Sequence, residues 1–258
     1  MSVIHFIGAG PGDVELITVK GARLLSEADV VVYTGSLVDR ALVQKYAPAA
    51  EFHDSAAMNL NETTAVLSEA VASGRRAVRL HTGDPSIYGA IQEQMAELDR
   101  LGIEYSVVPG VTSAFAAAAA LKQELTMPEV TQTVIITRMA GRTPVPEREK
   151  LSEVARIGAT MVIYLSVGMI DQVVAELLGG AYTPATPVAV VAKASWEDEE
   201  IVRGTLADIA AKVTAAGITK QALIIVGEAL NAREAGLKAV SKLYDAEFTH
   251  GCREGVVS

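Results

Sequence analysis

From its first residues the chain alternates short runs rich in β-branched residues with stretches where apolar side chains recur every three or four positions. The first pattern predicts strands and the second amphipathic helices, and their alternation predicts βα units. In the first half the strands fall at Val3 to Ile7, Asp29 to Tyr33, Glu51 to His53, Ala77 to Leu80 and Tyr105 to Val108. Between them, Thr18 to Ala28 places Val19, Ala22 and Leu25 on one helical face. A second helix opens at Asn61, turns Val66, Leu67, Ala70 and Val71 inward, and stops at Gly74. Ser86 to Leu101 carries Ile87, Ile91, Met95 and Leu98 at near-helical spacing, with Gly102 as its stop.

An alanine-rich stretch, Ala114 to Leu121, leads into Lys122 to Val130, whose Pro128 and alternating polar residues read as a link between two lobes. The lobes are then residues 1–122 and 123–258. The second lobe repeats the alternation, with strands at Thr133 to Thr137, Met161 to Leu165, Val188 to Ala192, Ile201 to Thr205 and Ala222 to Val226. Its helices are predicted at Glu147 to Ile157, Ile170 to Leu178 and Leu206 to Ala216, with one more near Ala235 to Leu243. The acidic turn Asp198-Glu199-Glu200 before Ile201 suggests a hairpin, which makes this second sheet mixed. The expected class is α/β: two α/β/α lobes, the first with a mostly parallel sheet.

Composition narrows the class. The chain has 258 residues, 50% of them hydrophobic and only 5% aromatic, so aliphatic side chains must fill the cores. A net charge of −9 argues against a nucleic-acid partner, which calls for a basic face. No apolar run reaches the roughly 18 residues of a membrane span, and no signal pattern opens the chain, so a cytoplasmic location is expected. The single cysteine, Cys252, permits neither an intrachain disulfide nor a cysteine metal cluster, and no other spacing supports a metal site.

Candidate chemistry lies in the loops after the strands, because ligands of α/β sheets sit beyond strand C-termini. The first loop, Gly8-Ala9-Gly10-Pro11-Gly12-Asp13, is spaced wrongly for a dinucleotide fingerprint. An aspartate stands where the third glycine belongs, and Pro11 removes a backbone donor. Three more glycine-bearing loops follow: Thr34 to Val38, Thr82 to Gly89, and Pro109 to Ser113. If their strands are parallel, all four open on one edge.

These blocks, with Leu16-Ile17-Thr18 behind the first and Ala222-Leu223-Ile224-Ile225-Val226-Gly227 in the second lobe, resemble the tetrapyrrole methylases, which use S-adenosylmethionine. Within that family, Tyr33-Thr34-Gly35-Ser36-Leu37-Val38 and Phe248-Thr249-His250 are similar to the carbon-methylating branch of cobalamin biosynthesis. The resemblance implies a homodimer and a cofactor held between the lobes, leaving as S-adenosylhomocysteine. Carried over by position, Pro11, Thr82, Gly83, Asp84, Ile87, Tyr88, Thr112 and Ser113 would touch it from the first lobe, and Leu165, Ala194, Ala222 and Leu223 from the second. Asp84 would be its carboxylate partner.

Relatives acting on uroporphyrinogen carry an aspartate just after the Tyr33 position and a lysine near position 54. This chain has Thr34 and Asp54, so that pair does not transfer and no catalytic residue is assigned. The anionic tetrapyrrole needs local cations, and arginine's planar fork suits carboxylates. Arg40, Arg138 and Arg142 are the candidates, with Thr34, Ser36 and Met58 from the neighbouring loops. Two other readings stand beside this one: a methylase of ribosomal RNA or protein on the same fold, and a nicotinamide-dependent oxidoreductase or nucleotide-binding module.

Overall fold

The computed structural model describes residues 3–35, 37–233, 236–237 and 241–256. Its contacts divide the chain into two compact units. One comprises residues 1–116 with 193–198, the other residues 117–192 with 199–258. The division falls inside the alanine-rich helix, ahead of the Lys122 to Val130 tract. It also returns one short segment from the second half of the chain to the first unit.

In the first unit, strands β1 (Ile4–Gly8), β2 (Val30–Tyr33), β3 (Glu51–Asp54), β4 (Ala77–His81) and β5 (Tyr105–Val108) form one sheet in the order β3-β2-β4-β1-β5. Every pairing in it is parallel. Helices α1 (Val19–Ser26) and α2 (Arg40–Tyr46) cover one face, packing Leu25, Leu42 and Val43 against Ile7, Val31, Val78 and Leu80. Helices α3 (Leu60–Ala72) and α4 (Ile91–Leu101) cover the other, packing Leu67, Ile91 and Leu98 against Ile4, Phe6, Val30 and Val32. Alternation along β4 therefore turns Val78 and Leu80 toward α1 and α2, and Arg79 and His81 toward α3 and α4. Adjacent strands β1 and β4 send their chains to opposite faces, which opens a crevice at their C-terminal ends.

The second unit opens with α5 (Ser113–Ala120), whose start lies in the first. Its sheet joins β6 (Val134–Arg138), β7 (Thr160–Tyr164), β8 (Pro187–Ala192), β9 (Glu200–Thr205) and β10 (Ala222–Val226) in the order β6-β7-β10-β8-β9. Only β6 and β7 run parallel; β10 is antiparallel to β7 and β8, and β8 and β9 form the expected antiparallel pair. Helices α6 (Leu151–Val154), α7 (Ile170–Leu178) and α8 (Ile209–Ala215) pack on one face through Leu151, Val173, Leu177, Ile209 and Val213.

The strands fall within a residue of their expected bounds, but three helical expectations change. The helix read over Ser86 to Leu101 begins only at Ile91, because Tyr88 and Ala90 take φ of +54° and +48°. Between them a Cβ on Gly89 would lie 2.2 Å from the Pro85 carbonyl oxygen, so residues 85–90 form a compact loop. The helix read over Glu147 to Ile157 is a chain of short turns, interrupted by Lys150 at ψ +145°. Helix α2 went unread; Asp39 caps it by accepting the Ala41 N–H at 2.8 Å. Of the helix expected near Ala235 to Leu243, residues 235 and 238–240 lie outside the described residues, and Lys242–Tyr244 forms a single 3₁₀ turn.

Candidate cofactor and substrate site

Because the first sheet is parallel throughout, the loops after β1, β2, β3, β4 and β5 all leave by one edge. Three of them are locked together. Gly10 donates to the Gly83 carbonyl at 3.3 Å, Gly83 donates back to Gly10 at 2.8 Å, and Ala9 donates to His81 at 2.7 Å. A Cβ on Gly110 would stand 2.1 Å from the Gly83 oxygen, and one on Gly8 would stand 2.6 Å from the Gly110 Cα. Glycine is required at both positions by backbone approach from three loops. Asp84 completes the cluster: Oδ1 accepts the Ser86 N–H and Oδ2 the Gly110 N–H, each at 2.8 Å. The carboxylate thus fixes the loop after β4 to the loop after β5.

Pro11, Thr82, Gly83, Asp84, Ile87, Tyr88, Thr112 and Ser113 all lie in these three loops. Thr112 is buried, Ile87 half-buried, and Tyr88 exposed at 46% and held in the left-handed region. Ala194 joins them through segment 193–198. Trp196 Nε1 there donates to the Pro11 carbonyl at 2.8 Å, and Ser195 Oγ accepts the Asp13 N–H at 3.0 Å. In the second unit Leu165, Ala222 and Leu223 share one sheet edge, since β10 starts where β7 and β8 end and Ala222 pairs with Ala192. Leu165 is 70% exposed at φ +53°, and Gln221 just before β10 has φ +52°. Non-glycine residues held in this conformation cost free energy and concentrate at ligand sites. Ala222 and Leu223 are themselves buried.

The substrate candidates behave differently. Thr34 Oγ1 lies 3.4 Å from Ser55 Oγ, and Met58 is half-buried nearby, while Ser36 lies outside the described residues. Asp54, at the place of the relatives' lysine, accepts both the Gly35 and Ala56 N–H groups at 2.9 Å. The bonds to Ala56 and then Gly35 hold its carboxyl below the usual range, so it is a loop clamp rather than a proton carrier. Arg138 donates to the carbonyls of Met139 (3.3 Å), Thr143 (3.1 Å) and Pro144 (2.6 Å), closing its own loop. Arg40 and Arg142 are exposed. No cluster of three or more metal-ligating side chains occurs among the described residues, and none of their helices is long and apolar enough to cross a membrane.

Sequence reasoning missed Arg79, Gln94 and Trp196. Arg79 is buried on β4, where burial lowers its pKa to about 10, so it stays charged near neutrality. His81, two residues on, stacks on Phe6 with ring centroids 5.9 Å apart. Burial, then the Arg79 charge, depress its pKa to about 3. The readable signal for Arg79 was a cation inside an otherwise apolar strand, Ala77-Val78-Arg79-Leu80. For Trp196 it was the lone tryptophan of the chain, in the loop after the Val188 to Ala192 strand.

The donor set suits S-adenosylmethionine. Its adenine, diol and ammonium call for backbone groups, hydroxyls and apolar cover, and within the first unit Thr82, Thr112, Ser113, Ile87 and Tyr88 are residues of those kinds in the three locked loops. A phosphate-rich ligand would need free backbone donors at the first loop, and those of Ala9, Gly10 and Asp13 are spent while Pro11 has none.

Comparison with known proteins points the same way. The model of the Tetrapyrrole (Corrin/Porphyrin) Methylases matches residues 3–210. The chain is 58% identical to a Cobalt-precorrin-4 C(11)-methyltransferase of Methanocaldococcus jannaschii, over 97% of this chain and 96% of that one. A solved cobalt precorrin-4 methyltransferase superposes with a TM-score of 0.86 at 50% identity, covering 88% of this chain and 95% of that one. A uroporphyrin-III C-methyltransferase of Thermus thermophilus, solved with S-adenosyl homocysteine, matches at TM-score 0.73 and 30% identity, over 90% of this chain and all of that one.

Proposed function

Because this chain belongs to the tetrapyrrole methylase family, whose members use S-adenosylmethionine, we propose that it methylates carbon 11 of the precorrin-4 ring in cobalamin biosynthesis, giving precorrin-5. The observation that carries this reading is the locked loop cluster at Gly8, Gly83 and Gly110, beside the neutral donor set named above. When bound, S-adenosylmethionine supplies a methyl already activated on sulfur. With the cofactor bound, a ring carbon of enamine character would supply the electron pair for the new C–C bond, the C–S pair would leave with sulfur, and the ring would lose a proton to solvent. The protein's work is to hold carbon, methyl and sulfur in line, for which rigid loops serve better than a base. Pro11, Thr82, Gly83, Asp84, Ile87, Tyr88, Thr112, Ser113, Leu165, Ala194, Ala222 and Leu223 are the residues proposed to hold the cofactor. Asp84 acts by fixing backbone. Thr34 in place of an aspartate, and Asp54 committed to two backbone amides, support a substrate other than uroporphyrinogen.

A homodimeric, cytoplasmic enzyme belongs to the same proposal, and light scattering of the purified chain tests the first point. The decisive experiment is incubation with methyl-labelled S-adenosylmethionine and either precorrin-4 or its cobalt complex, followed by mass spectrometry and carbon NMR. One labelled methyl on carbon 11 is the expected product, and the faster substrate identifies the ring form used. Transfer to another ring position, or none to either ring while cofactor binding persists, would overturn the assignment.

A further inference from the structure

Arg79 presents a buried charge without a counter-charge. It is 7% exposed; Nε donates to Gln94 Oε1 at 3.1 Å and Nη1 to the Val32 carbonyl at 3.2 Å. Nη2 takes no partner among the described residues, and no carboxylate there pairs with the guanidinium. Leaving an ion uncompensated in the interior is strongly unfavourable, so a protein that keeps one there has a use for it. Gln94 is itself buried and is fixed by donating to the Ala90 carbonyl at 2.9 Å, so it holds the guanidinium in one orientation.

Arg79 lines a cavity of about 390 Å³ between the start of α3 and the start of α4, with Met58 and Thr63 in its wall. The first turn of the eleven-residue helix α4, residues Ala90, Glu93 and Gln94, borders the same cavity. That helix has no side-chain cap, so its end contributes free N–H groups and positive dipole. The cavity's other polar side chains are largely committed: Ser55 Oγ donates to the Tyr33 carbonyl, and Asn59 Oδ1 accepts the Glu62 N–H. Glu93, the acidic residue in the lining, is exposed to solvent, where its charge is screened. His81, on the same face of β4, is neutral near pH 7 and supplies no compensating charge.

From the buried guanidinium, the uncapped helix end and the cavity between them, we infer that this pocket binds a carboxylate, and that Arg79 anchors one acetate or propionate arm of the tetrapyrrole there. The substrate class rests on the proposed function; the carboxylate site does not. Arg79 is a binding residue in this scheme and Gln94 its positioning residue. An anionic substrate with several carboxylates on an acidic protein needs such a cation, since Arg138 is spent on its own loop.

The test uses the full chain with 15N-labelled arginine. A buried guanidinium resonance, identified by its loss in Arg79→Lys, should shift saturably with sodium propionate and not with sodium chloride at equal ionic strength. In steady-state assays Arg79→Lys should raise the KM for precorrin-4 about 10- to 100-fold, as expected for losing a charge-assisted hydrogen bond. Affinity for S-adenosylhomocysteine should stay within about twofold, and Gln94→Ala should raise the same KM by less. A resonance that ignores propionate, or moves equally with chloride, would overturn the site, as would an unchanged KM in a folded Arg79→Lys variant. A saturable propionate shift in a protein that methylates no tetrapyrrole would uphold the pocket and sink the substrate assignment.

Discussion

Acidification from pH 7 to pH 5 should destabilise the first unit through His81, and the size of the loss follows from its burial. The ring is 4% exposed, stacks on Phe6, and leaves Nε2 buried without a hydrogen-bond partner among the described residues. Burial, and to a smaller degree the Arg79 charge, lower its folded pKa from the ordinary 6.5 to about 3. A depressed folded pKa means that the stabilising contribution is complete above pH 6.5 and is lost as pH falls from there toward 3. At pH 5 the unfolded chain has taken up nearly a full proton at this site while the folded chain has taken up almost none. The difference from pH 7 is about 2 kcal/mol, or roughly 4–8 °C in melting temperature for a chain of this size. His81→Phe keeps an aromatic ring against Phe6 and removes the titration, so its stability should fall less over this interval by about that amount. Urea unfolding of both proteins at pH 7, 6 and 5 measures the difference, with His5, whose pKa burial also lowers, common to both. Parallel losses, within about 0.5 kcal/mol at each pH, would refute a neutral buried His81.

Gly110→Ala would drive a Cβ to 2.1 Å from the Gly83 oxygen; the loops must separate, and S-adenosylhomocysteine affinity by calorimetry should drop at least tenfold, at a stability cost of about 1–3 kcal/mol. Asp84→Ala leaves the Gly110 and Ser86 N–H groups unpaired and should weaken the same affinity by about tenfold or more; unchanged affinity would remove this loop from the cofactor site. Tyr182→Phe deletes a buried hydroxyl that donates to the Ala159 carbonyl at 2.6 Å, and should lower stability by about 1–3 kcal/mol while methyl transfer persists; no measurable loss would mean that water replaces the bond.

The strands were legible because runs such as Val30-Val31-Val32 and Ile224-Ile225-Val226 have no amphipathic alternative, and the Pro187–Ala192 run is buried on both sides. Helix α4 was misplaced at its start because Ile87 falls in helical phase with Ile91, while the backbone around it is set by tertiary contact of the loop. The glycine loops were legible as motifs. Their convergence required the strand order, which places β4 beside β1 although two strands separate them in sequence. Arg79 was legible as a cation inside an apolar strand but not in its role: strand patterns treat a charge as an interruption, and only its burial reveals it as a charge held in place.

The first loop shows how such a site excludes the alternative cofactor class. A dinucleotide loop presents unpaired backbone N–H groups to a pyrophosphate. Here Ala9 and Gly10 spend theirs on His81 and Gly83, Asp13 on Ser195 Oγ, and Glu15 and Leu16 on the side chain and carbonyl of Asp13. Pro11 has none to offer, and its carbonyl is taken by Trp196. The Asp13 carboxylate then occupies, as a local cap, the position where an anion would otherwise bind. The same donors that would cradle a phosphate instead tie the loop to β4 and to the Trp196 segment. The loop's rigidity and its shortage of donors for a phosphate therefore have one cause.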